Sequence, residues 1–367
     1  MSNLTINTNT SILTKAIALA SNYLSKDGQF AGQVILSGKD GVMNVKSTDN
    51  VETIKIKDIS FTTNDMTIDN FEEIALDAKK LLKVLKALKG ENVSLELESS
   101  KVTVKSNRSK VKLDLYEEVQ HIEVSSNGET ISLNLDNNLI EGFNHVAHAI
   151  DSNNSKYELN GCLIKTTNNK MQIVSTDSRR LPVATYEVTS EDFEVIIPKR
   201  GVASICKLFS GYNLTASILE DMIVVEAKNV SYSIRLINGK FPEFERIVPK
   251  TFKEEISLSR TLLIEMTEEA SVLSEELVVD VSNNAITISD MLGDTEVSEE
   301  LELNAEFRFG INAKNLIDFL NSTDEDTISM GFNESGLPIV FLAGNSYKEV
   351  LMPIIIATST EELSNVA

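Results

Sequence analysis

The chain has no tryptophan, two cysteines, three histidines and six prolines in 367 residues. Cys162 and Cys206 stand apart, so they supply neither a CxxC pair nor a disulfide framework. So little histidine leaves few residues from which to build a metal or histidine-based catalytic centre. Six prolines and 16 glycines exclude collagen-like repeats and long low-complexity linkers. No apolar run approaches the roughly 20 residues that cross a bilayer. The first ten residues lack the basic-then-apolar layout of a secretory signal. A cytoplasmic protein with no membrane partner is the expectation. Positive charge is also scarce, 34 Lys and Arg against 55 Asp and Glu, for a net charge of -21. That sum argues against nucleic acid as a partner, but it says nothing about any one face, where the distribution of Lys and Arg decides.

What the sequence does contain is a repeat, the feature to seek first in a chain of this length. Three segments share a strand-like run, a capping residue, a Lys and a helical apolar pattern. They are Ile74-Ala75-Leu76-Asp77-Ala78-Lys79, Val195-Ile196-Ile197-Pro198-Lys199 and Phe309-Gly310-Ile311-Asn312-Ala313-Lys314. Asp77 and Asn312 suit helix N-caps, and Pro198 suits a first helical position. A second set of helices, capped by Thr10, Asp136 and Ser259, recurs with nearly the same period of about 120 residues. Each is followed by two strand-like runs: 34–37 with 42–47, 162–166 with 171–175, and 277–281 with 285–289. Two landmarks with one period predict an α+β fold of three tandem domains, 1–124, 125–250 and 251–367. Each has two helices on mostly antiparallel sheets, and the last carries a short tail, 357–367.

The lysines follow this repeat. A helix predicted over 78–89 carries Lys79, Lys80, Lys83, Lys86 and Lys89. At 100° per residue Lys79, Lys83 and Lys86 fall on one stripe, while Leu81, Leu82, Val84, Leu85 and Leu88 fill the core side. The equivalent helices offer Lys199, Arg200 and Lys207, then Lys314; the other helix set adds Lys15, His145, His148 and Arg260. A single lysine stripe is usually a solvated face. Its recurrence on equivalent helices of an acidic chain predicts a shared surface that touches phosphates without reading bases. The expected DNA-facing set is Lys15, Lys79, Lys83, Lys86, His148, Lys199, Arg200 and Lys314.

Catalytic constellations are thin. Glu141, His145 and His148 share a helical face at a spacing compatible with a metal site, but no fourth ligand is suggested nearby. Ser175-Thr176-Asp177-Ser178 is a hydroxyl cluster without a nucleophile elbow. His121 is the remaining histidine, and no P-loop, dinucleotide fingerprint or HExxH motif occurs. The chain is expected to be no enzyme and to need no cofactor or metal.

The stretch Ser175-Thr176-Asp177-Ser178-Arg179-Arg180-Leu181 resembles the T-D-G-H-R-L motif of the bacterial DNA polymerase III β-subunit (sliding clamp) family. Leu236-Ile237-Asn238-Gly239-Lys240-Phe241-Pro242-Glu243-Phe244 is similar to that family's L-I-D-G-x-F-P-D-Y. Tyr157-Glu158-Leu159-Asn160-Gly161, Arg246-Ile247-Val248-Pro249 and Val350-Leu351-Met352-Pro353-Ile354 fit it as well. Ser178 and Arg179 depart from the family's Gly and His, and residues 26–32 replace its Leu-Pro-rich stretch. The resemblance implies a non-catalytic processivity factor: a head-to-tail homodimer of clamp domains that closes a ring on duplex DNA. It implies as partners the replicative polymerase, the clamp loader, and other polymerases and repair proteins carrying clamp-binding peptides. It also implies a peptide pocket of Leu159, Thr176, Arg180, Leu181, Pro242, Ile247, Val350, Met352, Pro353 and Ile354. In that pocket the apolar members anchor the peptide, while Thr176 and Arg180 fix its polar groups. The tail, acidic in character, is expected to screen this pocket. The implied dimer contact sets Val111 and Leu113 of one copy against Val272 and Leu273 of the other. Two other readings stay open: a repeat scaffold that does not load on DNA, and a metal hydrolase using the His145/His148 face. Solution mass and bound metal separate them from a clamp.

Overall fold

The computed structural model describes residues 4–65, 69–120, 131–135, 138–282 and 284–356. The first third runs β1 (Thr5–Asn9), α1 (Thr10–Ala20), β2 (Gln33–Lys39), β3 (Val42–Thr48), β4 (Glu52–Ser60) and β5 (Thr62–Thr63). It continues through β6 (Phe71–Asp77), α2 (Ala78–Ala87), β7 (Asn92–Leu97), β8 (Lys101–Ser106) and β9 (Ser109–Asp114). The second runs β10 (Ile131–Leu135), α3 (Asn138–Val146), β11 (Gly161–Thr167), β12 (Lys170–Val174) and β13 (Arg180–Glu187). Then come β14 (Phe193–Pro198), α4 (Lys199–Phe209), β15 (Leu214–Ile218), β16 (Met222–Ala227) and β17 (Val230–Arg235). The third runs β18 (Glu254–Ser259), α5 (Arg260–Ala270), β19 (Glu276–Ser282), β20 (Ala285–Asp290) and β21 (Glu296–Glu300). It ends with β22 (Phe307–Asn312), α6 (Ala313–Asn321), β23 (Thr327–Phe332), β24 (Ile339–Ala343) and β25 (Tyr347–Leu351). Apart from the two-residue β5, one order of strands and helices occurs three times, as the sequence period predicts.

These elements form two compact units, Met1–Asp136 with Gly211–Leu236, and Asn137–Ser210 with Ile237–Ala367. The first holds a five-stranded sheet, β5-β1-β7-β8-β9, and an eight-stranded sheet, β10-β15-β16-β17-β4-β3-β2-β6. The second holds an eight-stranded sheet, β14-β11-β12-β13-β25-β24-β23-β18, and a four-stranded sheet, β21-β20-β19-β22. The last three strands of the second repeat therefore extend a sheet begun by the first, through Tyr232↔Ile54 and its neighbours. The last three of the third repeat extend a sheet begun by the second, through Leu181↔Val350.

Local chemistry explains most boundaries. Asp77 and Asn312 cap α2 and α6, accepting from the backbone N–H of Lys80 at 2.8 Å and of Asn315 at 3.0 Å. Ser259 caps α5 through Leu262 N–H at 3.4 Å. Two expected caps move by one residue. Asn9 rather than Thr10 caps α1, accepting from Ile12 N–H at 3.1 Å, and Pro198 is the N-cap of α4, so Lys199 is its first helical residue. Pro198 also closes β14 opposite Gly161, and strand pairing holds it in extended backbone outside the helix. The expected cap Asp136, like His121 and the tail 357–367, lies outside the described residues. The β11–β12 turn places Asn168 and Asn169 at positive φ, as a tight hairpin requires. Helix α2 stops at Ala87, two residues short of the expected end, because Leu88 turns extended toward β7. Leu81 and Leu85 are buried on it, whereas Leu82, Val84 and Leu88 are half-buried. Cys162 is buried and its thiol pushed up by that burial; Cys206 is pushed up to about 11 for the same reason.

Candidate functional site

Strand pairing in the second unit builds one apolar floor from distant parts of the sequence. Leu181 on β13 pairs with Val350 on β25, which pairs with Val340 on β24. Paired residues point to one face of a sheet, so these three share the face away from α3. There they join Leu159, Leu163, Val174, Val183, Ile196, Phe241 and Phe244 in one buried cluster. Phe241 and Phe244 come from the linker after β17 and carry it across the sheet. Of the ten expected pocket residues, Leu159, Leu181 and Val350 are thus brought together, each with 4% exposure or less. Their linker neighbours Pro242 and Ile247 stay exposed.

Met352, Pro353 and Ile354 follow directly from β25. Met352 is 45% exposed, and its N–H donates to Arg179 O at 2.9 Å. The N–H of Ile354 donates to Gly310 O at 2.9 Å. A Cβ on Gly310 would lie 2.5 Å from Ile354 O, so this crossing requires glycine at 310. Arg179, just before β13, and Gly310 on β22 therefore hold the Met-Pro-Ile segment by its backbone. The result is an apolar surface with a buried floor and an exposed rim of Pro242, Ile247 and Met352 suited to hydrophobic anchors of a short peptide.

The two polar members of the expected pocket behave differently. Side chains alternate along a strand, so Arg180 lies on the opposite face from Leu181. Its guanidinium is consumed there: Nε donates to Asp177 Oδ2 at 2.8 Å, Nη1 to Asp318 Oδ2 at 2.7 Å and Nη2 to His148 O at 2.9 Å. Burial works against its charge, but the carboxylates of Asp318, Asp177 and Glu349 more than offset that, and its proton is held more tightly than in free arginine. Arg180 is a tie between β13, α6 and the turn after α3. The Thr176 hydroxyl is likewise spent in its own turn, donating to Arg180 O at 2.6 Å and accepting from Ser178 N–H at 3.1 Å. Ser178 has φ +75°, which accounts for the family's glycine at this place; serine costs about 1 kcal/mol there.

His148, expected to face DNA, is turned inward as well. Its Nε2 lies 2.9 Å from Oε2 of Glu349, a carboxylate with 0% exposure that also accepts from Tyr347 OH. Glu349 faces the helices because Val350, its chain neighbour, faces the cleft. His145 Nδ1 donates to Ser322 O at 2.7 Å and its ring stacks on Tyr347. The two imidazoles therefore serve different partners. Among the described residues no group of three or more His, Cys, Asp or Glu side chains could hold a metal ion. Ser175 is fully buried and donates to Val146 O, a structural hydroxyl.

The remaining cations lie at the surface. Lys15, Lys79, Lys83, Lys86, Arg200 and Lys314 are all exposed. Lys199 is exposed but tied down, its ammonium donating to Ile150 O at 2.6 Å and Ser152 Oγ at 3.1 Å. Of the expected dimer contacts, Val272 and Leu273 are 74% and 67% exposed, Val111 is 36% exposed and Leu113 half-buried. Sequence reasoning missed Asp318, Glu349, Phe241 and Phe244. Glu349 carried a usable signal: a charge at an inward position of a strand whose neighbours are apolar must find a buried partner.

Residues 132–243 match the family model for the central domain of the DNA polymerase III beta subunit. A beta sliding clamp of Helicobacter pylori strain J99 is 26% identical over 282 residues, 72% of this chain and 75% of that one. The beta sliding clamp of Escherichia coli K12 is 24% identical over 326 residues, 81% and 88% of the two chains. A crystal structure of a Helicobacter pylori beta clamp bound to a DNA ligase peptide superposes with a TM-score of 0.84 at 24% identity. That match covers 96% of this chain and all of the other. No described helix is long and apolar enough to cross a membrane. By its central domain the chain is similar to the bacterial DNA polymerase III β-subunit family, and its threefold α+β architecture is the fold of the beta clamp structures.

Proposed function

We propose that this chain is a DNA sliding clamp, a non-catalytic processivity factor that dimerises into a ring around duplex DNA. One observation carries the reading: in each of three repeats the second helix has an exposed lysine at its first or second position, Lys79, Lys199 or Lys314. Equivalent helices in a closed ring turn these residues toward one enclosed surface. There Lys15, Lys83, Lys86 and Arg200 add sequence-independent contacts to phosphate. His148 drops out of this set, and Lys199 contributes with its ammonium already held by Ile150 O and Ser152 Oγ. The domains are 1–124, 125–250 and 251–367, and the chain works in the cytoplasm at the nucleoid, on DNA, with polymerase, clamp loader and repair enzymes.

Two edge strands support head-to-tail pairing of two copies. β9 ends its sheet and exposes Lys110 and Lys112 beside Val111; β21 ends its own and exposes Glu296, Glu299 and Glu300. Thr295 Oγ1 donates to Ala270 O at 2.7 Å, holding β21 beside Val272 and Leu273. Unpaired edges of opposite charge with apolar neighbours suit strand addition between copies. Two such contacts close a ring. Native mass spectrometry is expected to give twice the 40.5 kDa chain mass. Protein loaded on nicked circular DNA is expected to stay bound at high salt and to be released when the circle is cut. A monomer, or equal retention on both topologies, rejects the clamp.

The cleft of Leu159, Leu181, Pro242, Ile247, Val350, Met352, Pro353 and Ile354 receives the partner peptides. Replacing Met352 and Pro353 with alanine is expected to weaken the DNA ligase peptide bound by the Helicobacter pylori clamp about tenfold, since rim anchors truncated to alanine cost about 1–2 kcal/mol. Fluorescence polarisation measures it, and an unchanged dissociation constant removes both residues from the site.

A further inference from the structure

The outer face of the eight-stranded sheet in the second unit carries another concavity. Val183, Lys348 and Leu342 pair in register across β13, β25 and β24, one row along from Leu181, Val350 and Val340. The linker closes over this row with Phe244, Val248 and Phe252. The Phe252 ring lies flat on β23 at Gly331, where a Cβ would come within 2.5 Å of it. The cavity measures about 420 Å³. That is near the lower end of small-ligand pockets, roughly 300–1,000 Å³, and suits one or two side chains, not a whole helix.

Its mouth carries two lysines and one glutamate. Lys250 and Lys348 line the cavity, and neither forms an ion pair among the described residues. Nearby Lys165, Lys240 and Lys253 are paired with Glu245, Glu243 and Glu334. Glu245, the carboxylate at the same rim, is committed to Lys165. Two uncommitted ammonium groups over an apolar floor, in a chain of net charge -21, select an occupant that is apolar at its centre and anionic at its flanks. We propose that this groove docks an acidic segment of a partner protein, one bulky apolar side chain filling the cavity while flanking carboxylates meet Lys250 and Lys348. The assignment does not depend on the clamp reading or on the neighbouring cleft.

The test uses the full chain with methyl-labelled Val and Leu and two probes, acetyl-Glu-Phe-Leu-Glu-amide and acetyl-Lys-Phe-Leu-Lys-amide. The acidic probe is expected to shift the methyls of Val183, Val248, Val340 and Leu342 saturably. The basic probe is expected to bind about fivefold more weakly, and Lys250→Glu with Lys348→Glu to weaken the acidic probe by a similar factor. Lys250→Glu alone, at an exposed position, guards against a folding defect in the double variant. Equal binding of both probes, absence of saturation, or shifts centred on Leu159 and Leu181 overturns the assignment. Shifts at Leu159 and Leu181 leave the cleft of the proposed clamp intact, and loss of peptide binding at Met352 leaves this groove untouched.

Discussion

Arg180→Ala is expected to lower the stability of the second unit by about 3 kcal/mol, the low end of the cost of removing one partner from a buried ion pair. The low end applies because Asp177 and Asp318 keep 25% and 29% of their side-chain surface in water, where hydration replaces part of the lost attraction. Arg180 itself is 6% exposed at the side chain, so its removal also opens a gap beside the buried Glu349. For a unit of this size the loss corresponds to about 6–12 °C in melting temperature. Arg180→Lys is expected to fall between wild type and alanine, because a single ammonium cannot reproduce a planar fork reaching three acceptors. Differential scanning calorimetry reads both. An unchanged melting temperature with weakened peptide binding means that Arg180 is a peptide ligand after all, and that the tie to Asp318 is incidental.

Changing Lys79, Lys83 and Lys86 together to Glu is expected to abolish most of the DNA affinity contributed by α2 without unfolding it. All three are exposed, and none pairs with a carboxylate among the described residues; Lys80, which lies beside Asp77, is left in place. If each contacts one phosphate, the log–log slope of binding against salt falls in magnitude by about 2.7, because each phosphate contact on duplex DNA contributes roughly 0.9. The loss should be the same for any DNA sequence, since phosphate contacts carry no base information. Salt titration with two unrelated duplexes measures it. A slope that does not move identifies the stripe as ordinary solvated surface, whatever the fate of the ring.

Much of this molecule was legible in one dimension. The repeat fixed the order of strands and helices because periodicity, capping residues and hairpin turns are local properties: Asp77 and Asn312 cap helices by reaching three residues ahead, and Asn168 with Asn169 make their turn alone. Family resemblance singled out Leu159, Leu181 and Val350, and the fold gathers these three in one buried cluster. The surroundings of the polar residues were not legible. Thr176, Arg180 and His148 carry the right chemistry for a surface role, and nothing within a few residues of them shows that Asp318 and Glu349 will claim it.

The sequence by itself therefore determined the threefold architecture, the exposed lysines of α2 and the alternation that sends Leu181 and Arg180 to opposite faces. Tertiary structure alone decided which face each strand turned toward the helices, and with it whether a charged side chain met water or a buried carboxylate. The physical reason is range. Propensity and capping act over one helical turn or one strand residue, whereas the partners of Arg180 and His148 lie 138 and 201 residues away and become neighbours only when β13, β25 and α6 pack together.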